Sequence, residues 1–307
     1  MNSAKTAAFT PEEWFDHGLR DDFTHRGYPV FYVQDGDAKT PLLLIHGFPT
    51  SSYDWVYMWP QLRERYRLIA PDMIGFGYSD KPTRYDYSIM DQADLHEALL
   101  ERLGISEMHL LAHDYGDTVA QELLARYEER AAAHAAGGAP PAIRYKSITL
   151  LNGGLFPETH RARFIQKLLI SPLGSLITKV MGESTFRKKF SEVFGPDTKP
   201  SDRELKDFWR IIQYQQGTRI YHKLIRYMAD RRKHRERWVS CLQNTKIPIR
   251  LINGPADPVS GLHMTERYRE LVPNPDIVLL DRIGHYPQTE DPAGVLRGFL
   301  EFASRHD

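Results

Sequence analysis

Leu110-Leu111-Ala112-His113-Asp114-Tyr115-Gly116-Asp117 is the stretch on which the reading of this chain turns. An apolar run ends at Ala112, and a helical pattern occupies 118–127. A strand, a tight turn with small residues around one reactive side chain, and then a helix make a nucleophile elbow. Ala112 and Gly116 are small, as close packing of strand and helix beside a strained turn demands. The middle position is usually Ser; here it is Asp114. Taken alone, an Asp at a strand-to-helix turn reads equally well as a helix N-cap.

Other motifs decide between those readings. His46-Gly47-Phe48-Pro49 follows the apolar run 42–45. In folds with such an elbow, this loop gives one backbone N–H of the oxyanion hole and the residue after the nucleophile gives the other. Phe48 and Tyr115 are therefore the expected donors, both through the main chain. Asp257, in Gly254-Pro255-Ala256-Asp257-Pro258, follows the run 248–252. His285, in Ile283-Gly284-His285-Tyr286-Pro287, follows the run 276–280. A lone Asp or His near a strand end is more often structural. Here each follows its own strand, in the chain order nucleophile, acid, histidine, and a catalytic triad results. The segment Pro71-Asp72-Met73-Ile74-Gly75-Phe76-Gly77 has glycines suited to unusual backbone angles. They lack the GxGxxG spacing before a helix, so no dinucleotide cofactor is expected.

The runs 29–33, 68–70 and 147–151 complete a set of seven strands. Most are continuously apolar, which suits strands buried on both faces of a mostly parallel sheet covered by helices. The intervening helical patterns make βαβ units, an α/β architecture. From 154 to 239 no strand pattern appears. Ser201 followed by Glu204 marks a helix start. Leu205, Phe208, Trp209 and Ile212 give an apolar face, Gly217 interrupts it, and Ile220, Leu224 and Tyr227 continue the helical spacing. Residues 1–153 and 240–307 are thus read as the core and 154–239 as an all-helical insertion. The Ala/Gly/Pro-rich segment 131–141 reads as a surface linker.

With 307 residues, the chain can bury a large core. Its formal net charge of zero gives no pull toward nucleic acid or an anionic membrane. One cysteine, Cys241, excludes an internal disulfide and fits a reducing compartment. No cluster at metal-ligand spacing stands out, so no metal is expected. Residues 1–10 lack an apolar core for a signal peptide, and no segment approaches a membrane span. A cytoplasmic enzyme acting on a small molecule is the expectation.

Taken together, these motifs resemble the α/β-hydrolase superfamily, in the branch containing epoxide hydrolases and haloalkane dehalogenases. The elbow His113-Asp114-Tyr115-Gly116-Asp117, the segment Asn152-Gly153-Gly154-Leu155-Phe156-Pro157-Glu158-Thr159-His160 and the closing Gly284-His285-Tyr286-Pro287-Gln288 are similar to the mesoderm-specific transcript protein family. The resemblance spans nearly the whole chain. It implies an α/β-hydrolase fold whose helical insertion caps the active site.

A carboxylate, with an ordinary pKa of about 4, is already ionised at neutral pH. Asp114 can therefore attack a saturated carbon directly and form an alkyl ester. His285 then takes a proton from the water that hydrolyses the ester, and Asp257 orients and stabilises the imidazolium. In haloalkane dehalogenases a Trp after the nucleophile and often an Asn in the HGxP loop hold the halide. Tyr115 and Phe48 stand at those positions here; Trp209 in the cap could substitute for one, although core packing is the commoner role for such a side chain. Epoxide hydrolases use cap tyrosines as proton donors. The resemblance points to Tyr227 for this role, with Tyr221 and Tyr214 as further substrate contacts. Asn152 lies where some dehalogenases place their acid, but an amide carries no charge to stabilise an imidazolium, so the role goes to Asp257. Arg231-Arg232-Lys233-His234-Arg235 reads as a solvated face of the cap, and Glu158, His160 and Arg161 as its hinge or entrance. Epoxide hydrolysis to a diol leads. Dehalogenation of an alkyl halide by the same triad is second, and a binding protein that has lost turnover is third.

Overall fold

The computed structural model describes residues 7–161, 163–171 and 173–307. Eight strands form one sheet: Leu19–His25 (β1), Tyr28–Asp35 (β2), Pro41–Ile45 (β3), Arg67–Pro71 (β4), Glu107–His113 (β5), Arg144–Leu151 (β6), Ile249–Asn253 (β7) and Asp276–Leu279 (β8). Their spatial order is β1-β2-β4-β3-β5-β6-β7-β8. β1 and β2 are antiparallel to their neighbours, and the six strands from β4 to β8 run parallel. Leu42, Leu43, Leu44 and Ile45 are all fully buried, so both faces of β3 are covered. That is why the parallel strands read as unbroken apolar runs.

All seven expected strands are present; β1 is the addition. It carries Arg20, Asp21 and Asp22, is largely exposed, and sits at the sheet edge. An edge strand with charged side chains resists pairing with another chain. It also lacks the apolar signal by which the others are recognised.

The parallel register sets the site. One row across the sheet runs Ile45, Ala112, Leu150, Leu251, Ile277. The loops leaving β3, β5, β6, β7 and β8 therefore all emerge along the same carboxyl edge. They carry Phe48, Asp114, Asn152, Asp257 and His285 respectively. Ligand binding outside that edge is the general rule for open α/β sheets.

Between β6 and β7 every regular element among the described residues is helical. Ser201 caps the helix Asp202–Gln213 as its sequence suggests: its Oγ accepts from Glu204 N at 3.2 Å, and Glu204 Oε2 accepts from Ser201 N at 2.7 Å. Such a cap contributes about 1 kcal/mol. The helix breaks at Gln215 and Gln216, which take left-handed angles, immediately before Gly217. Ile220, Leu224 and Tyr227 are buried, as their spacing suggests. The last helix, Arg235–Asn244, lies against the helix Tyr115–Ala135 through Trp238, whose Nε1 donates to Glu122 Oε2 at 2.8 Å. The anticipated boundary between 239 and 240 thus falls inside a helix packed on the core. Residues 131–135, expected as linker, instead extend the helix Tyr115–Ala135, because alanine is the strongest helix former.

Candidate active site

Asp114 sits at φ 47°, ψ −102°, between β5 and the helix Tyr115–Ala135. A non-glycine residue held there stores about 1–3 kcal/mol of strain. Its side chain makes no capping bond to the helix that follows, which argues against the N-cap reading. The turn is tight enough that a Cβ at Gly116 would lie 2.5 Å from the Ile45 carbonyl oxygen. The small residue is therefore required by the approach of β3.

The Asp114 carboxylate is directed at the expected groups. Its Oδ2 accepts from the Phe48 N–H at 3.2 Å and lies 4.0 Å from His285 Nε2. Tyr115 is the first residue of the helix, so its N–H has no intrahelical acceptor. His285 Nδ1 is 2.7 Å from Asp257 Oδ2. All three side chains are buried. Burial works against the His285 imidazolium, but Asp257, with Asp114 and Glu290 behind it, outweighs this and raises its pKa to about 9. Burial likewise opposes the Asp257 anion, and His285 more than compensates, lowering that pKa. The pair is thus charged at neutral pH.

Groups that sequence reasoning did not assign hold this arrangement. Asn152 Nδ2 donates to Asp257 Oδ2 at 3.0 Å, and its Oδ1 accepts from Gly254 N at 2.8 Å. The amide thereby fixes the acid's oxygen. Ser260 Oγ lies 2.9 Å from that oxygen, and Val259 N donates to the other at 2.7 Å. Glu290 anchors the histidine loop, accepting from Gly284 N at 2.9 Å and Tyr286 N at 3.0 Å.

A largely apolar cavity opens over the carboxylate. Phe48, Leu169, Phe186, Trp209, Tyr221 and Tyr286 line it together with Asp114 and His285. Arg163, Lys189 and Glu192 also contribute to its wall. The three tyrosines named from the sequence part company here. Tyr221 lines the cavity, and its hydroxyl donates to the Pro49 carbonyl at 3.2 Å. Tyr227 is buried one layer behind, its ring 4.8 Å from that of Tyr115, and is not among the lining residues. Burial and then the Asp114 charge raise its hydroxyl pKa. Tyr214 is a correction: it leaves the end of the helix Asp202–Gln213 with non-helical angles and packs onto Tyr78 and Phe15 and under the Lys81 ammonium, 5.0 Å from the ring centroid. Trp209 does line the cavity, with its ring 5.3 Å from Phe186.

The basic run requires a second correction. Arg232 and Lys233 are exposed, but Arg231 is buried beside Asp114. Its Nη2 donates to the Asp114 carbonyl oxygen at 3.0 Å and lies 3.6 Å from Asp114 Oδ1. Arg235 pairs with Glu158 at 2.9 Å, tying the end of the insertion to its beginning. His160 lies near Arg231, and Arg161 is exposed.

The sequence profile of the alpha/beta hydrolase fold family matches residues 40–292. The chain belongs to that family. Among its relatives, this alpha/beta hydrolase is 42% identical to the mesoderm-specific transcript protein of Mus musculus over 290 residues, covering 91% of this chain and 84% of that one. It is 35% identical over 262 residues to the putative hydrolase LipZ of Mycobacterium tuberculosis, covering 85% and 88%. Among solved structures, the haloalkane dehalogenase DbeA of Bradyrhizobium elkani superposes with a TM-score of 0.76 at 22% identity, covering 92% of this chain and 96% of that chain. A likeness of that identity speaks for the fold. No helix among the described residues of this alpha/beta hydrolase is long and apolar enough to cross a membrane.

Proposed function

We propose that this alpha/beta hydrolase opens epoxides to vicinal diols through an ester on Asp114, without a cofactor. The observation that carries the reading is the nucleophile itself: a buried carboxylate at the elbow, with a backbone donor on one oxygen and the His285–Asp257 pair beside it. Asp114 attacks an epoxide carbon and the C–O bond of the ring opens. The alkoxide takes a proton and remains attached as part of the ester. Water, deprotonated by His285, then attacks the Asp114 carboxyl carbon, and the N–H groups of Phe48 and Tyr115 hold the oxyanion. The diol leaves with an oxygen that belonged to Asp114, and the water oxygen stays in the carboxylate. Esterification removes one of the negative charges that keep His285 protonated, which turns it toward its role as base.

The alkoxide requires a proton donor at the cavity wall. Of the tyrosines named from the sequence, Tyr221 is the one that lines the cavity, in place of the expected Tyr227. The Trp and Asn that hold a halide in dehalogenases are replaced here by Tyr115 and Phe48, and this favours an epoxide. Dehalogenation stands as the second reading because Trp209 lines the cavity and carries an indole N–H. The insertion 154–239 would act as the cap that gives the site its apolar wall.

Incubation with styrene oxide and, separately, with a primary alkyl bromide tests the proposal. Chromatographic detection of diol from the first, with little halide from the second, is the expected outcome. Halide release without diol formation would replace this reading with the second.

A further inference from the structure

Arg231 is only 3% exposed, and its surroundings fix it closely. Its Nε donates to Thr118 Oγ1 at 2.7 Å and its Nη2 to the Asp114 carbonyl at 3.0 Å. The guanidinium carbon lies 4.5 Å from the centroid of the Tyr227 ring. A Cβ at residue 154 would come within 2.4 Å of Nη1, so glycine at that position gives the guanidinium its room. In this setting Nη2 stands 3.6 Å from Asp114 Oδ1.

Among the described residues, Asp114 is the carboxylate within 4 Å of the Arg231 guanidinium. Burial, followed by the charge on Asp114, pushes the Asp117 carboxyl well above the usual range and toward its neutral form. Burial, followed by Arg231 itself, holds His160 down at about 4, so its ring is neutral at pH 7. The nucleophile's carboxylate is the anion facing this guanidinium.

We propose that Arg231 is the fixed counter-ion of Asp114 and that it shortens the life of the alkyl-enzyme ester. This rests on the ester mechanism proposed above. When Asp114 is alkylated, its carboxyl becomes neutral and the buried guanidinium loses its answering charge. Breaking a buried pair from one side is costly because the remaining charge stays desolvated. Water attack on the ester restores negative charge, first on the tetrahedral oxyanion and then on the regenerated carboxylate. Arg231 therefore raises the ester above the states on either side of it. Alkylation gains nothing from this cation, since the nucleophile is losing charge, whereas hydrolysis is accelerated. A residue that merely held the helix Tyr227–Lys233 in place would slow both steps alike.

The test is single-turnover kinetics with styrene oxide on wild type, Arg231→Gln, Arg231→Lys and His285→Gln, followed by intact-protein mass spectrometry and thermal melting. Arg231→Gln should alkylate at least as fast as wild type and hydrolyse the ester more slowly, by about tenfold or more. The adduct should accumulate during turnover, and Arg231→Lys, which keeps the charge, should recover most of the hydrolysis rate. Arg231→Gln hydrolysing at the wild-type rate would overturn the proposal. So would equal loss of both steps in Arg231→Gln and Arg231→Lys with a matching fall in melting temperature, which identifies a structural role. An absence of adduct even in His285→Gln would instead remove the ester mechanism on which the inference stands.

Discussion

Replacing Asp257 with Asn removes the charge that holds His285 in its present state, and the structure sets the scale of the effect. His285 is raised from an ordinary 6.5 to about 9, against the opposing effect of burial, chiefly by Asp257 at 2.7 Å. A group raised on folding contributes stability that is fully present below its unfolded pKa and lost as pH rises through the folded one. For His285 that window runs from about 6.5 to about 9, and a shift of this size corresponds to about 3 kcal/mol in a buried group. Wild type should therefore melt at progressively lower temperature across that window. In Asp257→Asn burial dominates, His285 stays neutral, and this slope should flatten. Hydrogen bonding worsens as well. Asp257 Oδ2 receives His285 and Asn152, and Oδ1 receives Val259. An amide has one oxygen for two such positions. Turnover should fall by about four orders of magnitude, as when the tautomer of a triad histidine is reversed. Melting curves over the pH window, paired with the rate of ester hydrolysis, provide the assay. Near-wild-type hydrolysis, or an unchanged slope, would refute the assignment and direct attention to Glu290.

Three further variants probe the site. Tyr221→Phe should slow ester formation from an epoxide more than ester hydrolysis, whereas Tyr227→Phe should have the smaller effect on alkylation; the opposite ranking in single-turnover kinetics would return the donor role to Tyr227. Gly116→Ala forces a Cβ to 2.5 Å from the Ile45 carbonyl and should destabilise the fold by about 1–3 kcal/mol; a denaturant midpoint equal to wild type would show that the elbow is looser than its geometry implies.

The sheet was legible because parallel strands buried on both faces leave unbroken apolar runs, and the proposed triad because three reactive residues each follow one of those runs. β1 escaped notice since an exposed edge strand bearing Arg20, Asp21 and Asp22 has no apolar run to detect. Tyr214 was misplaced because it lies just past the helix Asp202–Gln213, where helical spacing no longer sets its direction. Arg231 is the more instructive residue. A run of basic residues is usually a solvated face, and Arg232 and Lys233 behave that way. Yet Arg231 follows Tyr227 by four residues and Leu224 by seven, which is the spacing of the buried face. That periodicity was available, and composition masked it. Asn152 could be excluded as the acid from its chemistry, but its bond to Asp257 depends on β6 and β7 being neighbours in the parallel sheet.

The central claim is that Asp114 forms a covalent ester and that water attacks its carboxyl carbon. A single turnover in heavy-oxygen water, with enzyme in excess over styrene oxide, tests it most directly. The account predicts an unlabelled diol and one heavy oxygen in the peptide containing Asp114. A labelled diol with an unlabelled Asp114 would mean that water attacks the substrate itself, and would contradict it.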